Sequence, residues 1–478
     1  MRNTLVIIAL AGIVFVPVTF ARAQVAEDTR VTSAIGVLDA WIQSRMAYRD
    51  IPGLTIGIVH DQEIILERGY GHADREGRHP ATPGTLFRIA SISKLFTSIA
   101  VMHLVEEGKV RLDDPVSDYL EWFQPADTPP DAPPITLRHL MTHTSGLPRE
   151  SPFPYWTDFD FPTREELIAA FPKQIAVFPP SVRSKYSNLG LTIVGEVVQA
   201  VSDMPYEDYV TTRILEPLGM ADTVVSINEN NWNLAIGYGR RMPDGTREIM
   251  PFTDSKGLTP AANFSSTIED FTRFAMWQFR LRETDGTEVL KGYTLREMQR
   301  PQWVDPSWTS GRGLGFAISH TPERDYVGHG GYVYGYTSQF SMSPKEKIAV
   351  TVFTNADDAG PGAVLKTAFD ILSPAIKAAL SEDPAPPEPD PSFKPLMGLY
   401  RDLGGDAFVT VFNGSLVVFN PTADKPLDAM TVLEPLGNLT FKIVDDGFGP
   451  VGETVRFEIE RGRVERMWIG ENYMEPVR

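Results

Sequence analysis

The stretch TLFRIASISKLFTSIAVMHLVEEGKVRLDDPVSDYL, residues 85–120, decides the fold of this chain. Its middle is an apolar run, Leu95–Val105, which ends shortly before Gly108, a residue type common at helix C-termini. The run predicts a helix. Because apolar residues occur almost all round it, we expect this helix to be buried in the core.

Ser91 and Lys94 stand at the start of this helix and share one face of it, whereas Ser93 faces away from Ser91. A structural role as the helix N-cap would account for Ser91 but not for Lys94. A buried ammonium group is costly unless it is paired, and burial favours the neutral amine. Since a neutral amine beside a hydroxyl can act as its base, we predict that Ser91 is a nucleophile activated by Lys94.

Two further motifs follow along the chain: Tyr-Ser-Asn at 186–188, before the apolar run Leu189–Val201, and His-Gly-Gly at 329–331. Each motif alone is weak, and Ser-x-x-Lys occurs about once by chance in a chain of this composition. Their structural alternatives are a core tyrosine, a turn-forming asparagine and a core histidine. The two glycines would let a substrate backbone approach the edge of a strand closely.

The three motifs in this order, with LRHLMTHTSGLP and YSNLGLTIVGEVV around them, resemble the class C branch of the β-lactamase/penicillin-binding-protein superfamily. The resemblance covers about residues 30–380. That branch of serine hydrolases also contains D-alanyl carboxypeptidases, D-aminopeptidases and esterases. The resemblance implies an acyl-enzyme mechanism on Ser91.

The resemblance also implies roles for residues around the nucleophile. Tyr186 would take a proton from Ser91 during attack and pass it to the leaving group. Asn188 would hydrogen-bond the substrate amide or Lys94. The backbone amide of Tyr332, after the strand residue Gly331, would complete an oxyanion hole with the amide of Ser91.

His329 stands where the family's third motif usually has a lysine. Near neutral pH a histidine carries far less positive charge than a lysine. In carboxypeptidases and β-lactamases that lysine favours the free carboxylate of the substrate, so we expect β-lactamase activity to be weak or absent. The loop at 260–266 departs as well, because relatives often have a glycine pair there. We expect hydrolysis of small amides or peptides, including those of D-amino acids; the alternatives are a carboxylesterase or a non-catalytic penicillin- or peptidoglycan-sensing protein.

The chain divides at the proline-rich residues 383–391, which predict a stiff linker. Before it, at 24–382, early and late strand-like runs must share one sheet, because a lone hairpin is marginal. We expect an α/β (α+β) fold: an antiparallel sheet flanked by helices, with an inserted helical subdomain. After it, at 392–478, strand-like runs with turn signals at Asn413-Gly414 and Arg461-Gly462 predict an antiparallel β-barrel. Several relatives carry a lipocalin-like domain there and tend to place it near the cleft, so we expect it either to form a lid over the pocket entrance or to serve as a stabilising module.

The composition narrows the chemistry further. The 478 residues include no cysteine, which excludes disulfides and thiolate nucleophiles, and the net charge of -18 disfavours nucleic acid as a partner. His139 and His143 have a zinc-compatible spacing without a recognisable third ligand, so we expect neither metal nor other cofactor. Residues 1–23 predict a cleaved signal peptide, and with it export to a bacterial periplasm or beyond without stable membrane insertion. The sequence gives no oligomeric state.

Overall fold

The computed structural model describes residues 25–126, 131–445 and 447–477. The predicted signal peptide, residues 1–23, lies outside the described residues. The rest folds into a mixed α/β domain with a large antiparallel sheet, followed by a closed β-barrel, which confirms the predicted fold class. In the described part of the chain, no helix is long and apolar enough to cross a membrane.

The first domain contains strands and helices in mixed order. Its strands are β1 (Gly53–His60), β2 (Glu63–Asp74), β3 (His79–Pro80), β4 (Phe87–Arg88), β5 (Ser265–Ser266), β6 (Thr287–Glu288), β7 (Leu290–Lys291), β8 (Trp303–Val304), β9 (Ser310–Arg312), β10 (Ala317–His320), β11 (Asp325–Val333), β12 (Tyr336–Ser343) and β13 (Ile348–Thr354). Its helices are α1 (Thr29–Arg49), α2 (Ser93–Glu106), α3 (Leu137–Met141), α4 (Tyr155–Asp158), α5 (Arg164–Ala170), α6 (Asn188–Ser202), α7 (Tyr206–Val210), α8 (Thr259–Ala262), α9 (Ile268–Arg282), α10 (Gly292–Met298) and α11 (Pro361–Ala379).

The main sheet joins the two ends of this domain, as the sequence predicts. Its strand order is β3-β2-β1-β13-β12-β11-β10-β9-β8, and β1 pairs antiparallel with β13 from Leu54↔Thr354 to His60↔Ile348. Helices α1 and α11 cover one face, where Val350 and Val352 are buried, and α2 and α9 cover the other, where Phe353 is buried. This alternation follows from the two-residue period of a strand.

The structure differs from the sequence prediction at the far edge of the sheet. The sequence pattern predicts a strand over Leu314–His320, but β10 begins only at Ala317. The short strands β8 and β9 extend the sheet beyond β10, and their sequence lacks the β-branched alternation from which strands are predicted. Because β10 is short, it pairs with β11 only as far as Gly328. Among the described residues, no strand pairs with the rest of β11 on that side.

The C-terminal barrel has eight strands, each paired antiparallel with its neighbours. They are β14 (Gly398–Arg401), β15 (Asp406–Phe412), β16 (Ser415–Phe419), β17 (Met430–Gly437), β18 (Thr440–Ile443), β19 (Thr454–Glu460), β20 (Arg463–Ile469) and β21 (Asn472–Pro476). Both predicted tight turns are present: φ is 50° and 82° at Asn413 and Gly414, and 51° and 79° at Arg461 and Gly462. Positive φ at both central residues is the geometry that suits a two-residue hairpin.

The barrel packs against the α1 and α11 layer, on the side of the sheet opposite α2. Alternate residues of β16 explain how: Leu416 and Val418 fill the barrel interior, whereas Phe419 joins the core formed by α1, α11 and the sheet. Trp41 of α1 also donates its indole N–H to the carbonyl of Ala423 at 2.8 Å. The lid expected from the resemblance has no support in this arrangement.

We predict that Phe419→Ala lowers the free energy of unfolding of the full chain by about 3–5 kcal/mol, because it removes a fully buried ring from the contact between the domains. Urea unfolding measures the loss, and protease cleavage within residues 383–391 should become faster. Leu403→Ala, which changes an exposed apolar residue of the barrel, is the control and should have little effect. Equal stability of the two variants would show that the contact contributes nothing.

Candidate active site

Ser91 lies in a short 3-10 turn, Ala90–Ile92, that leads into α2. Ala90 has a φ of 48°, in the left-handed region that non-glycine residues rarely adopt. The turn is held by Ser93, whose buried hydroxyl donates to the carbonyl of Ala90 at 2.6 Å and accepts from the amide of Phe264 at 3.1 Å. Ser93 therefore fixes the backbone on which the nucleophile sits.

Lys94 points from the first turn of α2 into the core and is completely buried. Its Nζ lies 2.9 Å from Ser91 Oγ, 2.8 Å from Asn188 Oδ1 and 2.7 Å from the carbonyl oxygen of Ala261. The last two atoms only accept hydrogen bonds, so a neutral amine directs its two N–H groups to them. Its lone pair is then left facing the hydroxyl of Ser91, as a general base requires.

The electrostatics favour this neutral state. Burial holds the pKa of Lys94 well below its usual range. The carboxylate of Glu150 raises that pKa and the guanidinium of Arg149 lowers it, but both effects are smaller than desolvation. Lys94, which the sequence predicts to be the base, thus lies beside the hydroxyl.

Tyr186 lies immediately before α6, and its ring faces several charged or aromatic groups. The ring centroid lies 4.4 Å from that of His143, 5.0 Å from Lys94 Nζ and 5.1 Å from the guanidinium carbon of Arg149. Burial raises the pKa of Tyr186 to about 12, and a hydrogen bond with Ser91 lowers it by less. Tyr186 is therefore a phenol at neutral pH, suited to donating a proton next to the nucleophile.

Two residues that the sequence analysis did not single out as site residues hold this segment in place. His143 Nδ1 accepts the amide proton of Ser187 at 3.2 Å, and burial keeps the pKa of His143 well below its usual range. Glu150 accepts from Asn188 Nδ2 at 2.7 Å and from the hydroxyl of Tyr155 at 2.5 Å. Because a carboxylate only accepts, Glu150 turns the amide oxygen of Asn188 toward Lys94.

The edge of β11 forms the opposite wall of the site. Tyr332 is 45% exposed at this free edge, whereas His329 is buried. Nδ1 of His329 lies 2.7 Å from the carbonyl of Gly330, so we assign its proton there, and Nε2 has no partner among the described residues. Burial lowers the pKa of His329 to about 3. The imidazole therefore supplies no positive charge at neutral pH.

Gly331 is needed for packing as well as for access to the strand edge. A Cβ on Gly331 would lie 2.1 Å from the carbonyl oxygen of Ile89 and 2.3 Å from Ser338 Oγ. Ser338 Oγ itself donates to the carbonyl of Ile89 at 2.9 Å. These contacts bring β11 against the turn that carries Ser91, where the amides of Ser91 and Tyr332 are the predicted oxyanion hole.

These groups line one open cavity of about 760 Å³. The predicted site residues that line it are Ser91, Tyr186, Asn188, His329, Gly331 and Tyr332, and Lys94 lies beneath Ser91. Trp156 and Tyr334 add an aromatic wall, and the sequence analysis missed Arg312, whose side chain also lines the cavity. Each described residue lining this cavity belongs to the first domain.

Both histidines considered for zinc have protein partners instead. His139 caps α3 through Thr136 and lies 2.9 Å from Ser181 Oγ, while His143 holds the backbone of Ser187. Within residues 25–126, 131–445 and 447–477, no group of three or more His, Cys, Asp or Glu side chains is placed to hold a metal ion.

Comparison with known proteins finds related sequences. The chain is 28% identical over 402 residues to Beta-lactamase-like protein 2 of Dictyostelium discoideum, covering 81% of this chain and 72% of that protein. It is 25% identical to Protein flp of Staphylococcus aureus strain MRSA252, covering 66% of this chain and 62% of that protein.

Solved structures are similar over most of the chain. The octameric penicillin-binding protein homologue from Pyrococcus abyssi has a TM-score of 0.62 and 26% identity, covering 92% of this chain and 99% of that one. EstCE1, a hydrolase with promiscuous acyltransferase activity, shares the fold with a TM-score of 0.62 at 23% identity, covering 72% of this chain and 99% of that one. The Beta-lactamase family profile matches residues 38–372, so the chain belongs to the β-lactamase family.

Proposed function

We propose that this protein is a serine hydrolase that cleaves amide or peptide bonds of small substrates through an acyl-enzyme on Ser91. The observation that carries the proposal is the placement of Lys94 Nζ, 2.9 Å from Ser91 Oγ, with its other partners able only to accept hydrogen bonds. The phenol of Tyr186 interacts with the same hydroxyl and donates the proton that an amine leaving group needs.

The first half-reaction forms the acyl-enzyme. Lys94 takes the proton of Ser91, whose Oγ attacks the carbonyl carbon of the substrate. The developing oxyanion is held by the backbone amides of Ser91 and Tyr332, each worth a few kcal/mol to the transition state. Tyr186 then protonates the leaving nitrogen as the amide bond breaks, which leaves a phenolate beside the Lys94 ammonium.

The second half-reaction restores the enzyme. Tyr186 takes a proton from a water molecule, which attacks the acyl carbonyl. The bond to Ser91 Oγ breaks, and Lys94 returns its proton to that oxygen. The phenolate and the ammonium exist only between these steps and stabilise each other, since Lys94 Nζ lies 5.0 Å from the Tyr186 ring centroid.

The same residues would cleave short acyl esters, whose alcohol portion leaves without prior protonation. A sensing protein would instead stop at the acyl-enzyme. Turnover of D-amino-acid amides, p-nitrophenyl esters and nitrocefin separates these functions, and a single stoichiometric burst would indicate a sensor. We expect amide turnover and weak hydrolysis of nitrocefin, since the position of the usual lysine holds neutral His329.

We also propose export to the periplasm, on the basis of residues 1–23 alone.

The nucleophile assignment predicts that Ser91→Ala abolishes labelling by a fluorophosphonate and lowers kcat/KM by at least about 10⁴-fold. Ser392→Ala, at an exposed serine of the barrel domain, is the matched control and should keep both. Ser93 does not serve as a control, because its hydroxyl holds the catalytic turn. Undiminished labelling of the Ser91 variant would overturn the proposal.

The base assignment predicts the pH dependence of kcat/KM. Activity should rise with pH as the Lys94 ammonium loses its proton, and burial places this rise well below 10.5. It should fall only near pH 12, where Tyr186 loses its proton. Profiles of the wild type and of His329→Asn should show the same acid limb, because the pKa of His329 is about 3. Loss of that limb in the His329 variant would make the histidine the base.

A further inference from the structure

A second cavity, of about 850 Å³, is formed by strands β8 to β11 and by the C-terminal ends of α9 and α10. No described residue lines both this cavity and the catalytic one. Strand β9 separates them: Gly311 lines the second cavity, whereas the next residue, Arg312, lines the catalytic cavity, because successive strand residues face opposite sides of a sheet. The volume is that of a site for a small organic molecule.

The floor of this second cavity is apolar. It is one row of residues across four neighbouring strands, in the order Val304, Gly311, Ile318 and Val327. Since Gly311 has no side chain, the row has a hollow at its middle. Trp308, in the loop between β8 and β9, also lines the cavity and is 75% exposed. The floor and this ring offer an apolar surface to a ligand.

The loop that presents Trp308 is held by Asp305. The carboxylate of Asp305 accepts from the hydroxyls of Ser310 and Ser307, at 2.5 Å and 2.8 Å, and from the amide of Thr309 at 3.3 Å. Trp308 itself has a φ of 61°, in the left-handed region that non-glycine residues rarely adopt. A ring on a loop that is already fixed loses little conformational freedom when it contacts a ligand.

The charged groups of this cavity are mostly basic, although the chain has a net charge of -18. The described residues that line it include one carboxylate, Asp325, which lies 2.6 Å from Nδ1 of His320. Against it stand four cations: Arg282, Arg296, Arg300 and Lys345. Two of the four are paired, at 2.9 Å for Arg296 and Asp285 and at 3.0 Å for Arg300 and Glu297.

The other two cations, Arg282 and Lys345, make no ion pair with any described residue of the chain. Arg282 ends α9, is half-buried and donates a hydrogen bond to Oε1 of Gln299. Burial, and less strongly the guanidinium of Arg296, lower the pKa of Arg282. An arginine nevertheless stays charged, and a partly desolvated guanidinium without a counter-charge is costly. An anion bound in the cavity would remove this cost.

We propose that this cavity is a binding site for a small organic anion, an acid with an aromatic body. Its carboxylate is held by Arg282, and Lys345 adds to the positive field at the cavity. The body lies on the apolar floor and against Trp308. Binding here is separate from the proposed acyl-enzyme chemistry, because the catalytic cavity lies on the other side of β9.

The probe for this site is 2-naphthoate, titrated into the full chain by calorimetry, with uncharged 2-acetonaphthone as the matched neutral compound. We expect one naphthoate site with a Kd below about 1 mM, and binding of the ketone at least about tenfold weaker. Arg282→Gln should raise the naphthoate Kd about tenfold, the scale of a charged hydrogen bond. Trp308→Ala should raise it about fivefold, and Lys345→Gln about threefold.

Arg312→Gln, which removes the same charge from the catalytic cavity, is the control and should leave the naphthoate Kd unchanged. If this variant weakens binding and the three others do not, the probe lies in the catalytic cavity and the proposal is wrong. Absence of saturable binding, or equal binding of the ketone, would also contradict it. Where Arg282→Gln fails to fold, Trp308→Ala and Lys345→Gln decide, since both change exposed side chains.

Discussion

Lys94 Nζ lies in the core between the hydroxyl of Ser91, the amide oxygen of Asn188 and the backbone carbonyl of Ala261, and each of these partners comes from a different segment. A buried amine that loses an acceptor carries a penalty of about 1–3 kcal/mol. Contact with Lys94 therefore holds three segments in fixed positions: the turn before α2, the start of α6 and the end of α8. The second layer follows from this: Glu150 orients Asn188, and His143 fixes the backbone beside Tyr186.

The sheet supplies the other half of the site, because a strand edge is rigid where a loop is not. β11 is paired with β12 from Val327 to Val333, and among the described residues no strand pairs with its opposite edge from His329 onward, because β10 begins opposite Gly328. The missing side chain of Gly331 lets this edge meet the carbonyl of Ile89, one residue before Ala90 and two before the nucleophile. The catalytic turn and the predicted oxyanion hole thus depend on the same contact, that of Gly331 with Ile89. The barrel packs on the other side of the sheet, and none of its described residues lines the cleft.

Charge is the property that sequence analysis judged least completely. A histidine in place of the usual lysine at position 329 predicts less positive charge. Burial lowers the pKa of His329 to about 3, so this side chain carries no positive charge near neutral pH. The cleft nevertheless contains a cation, Arg312, which no sequence pattern marks because it belongs to a short edge strand with no motif of its own. An arginine in a loop-rich sequence is usually solvated, and no periodicity marks the one that enters a cleft.

The sequence by itself determined the fold class, the strands that close the main sheet, the two tight turns of the barrel, and the residues gathered around Ser91. These depend on local spacing and hydrophobic pattern, which are written along the chain. Only the tertiary structure decided which groups surround Lys94, that Glu150 and His143 hold the second motif, that Ser93 supports the turn, and that Arg312 lines the cleft without a hydrogen-bond or ion-pair partner among the described residues. These depend on contacts between segments far apart in sequence, and on burial, because burial sets the protonation of Lys94, Tyr186 and His329.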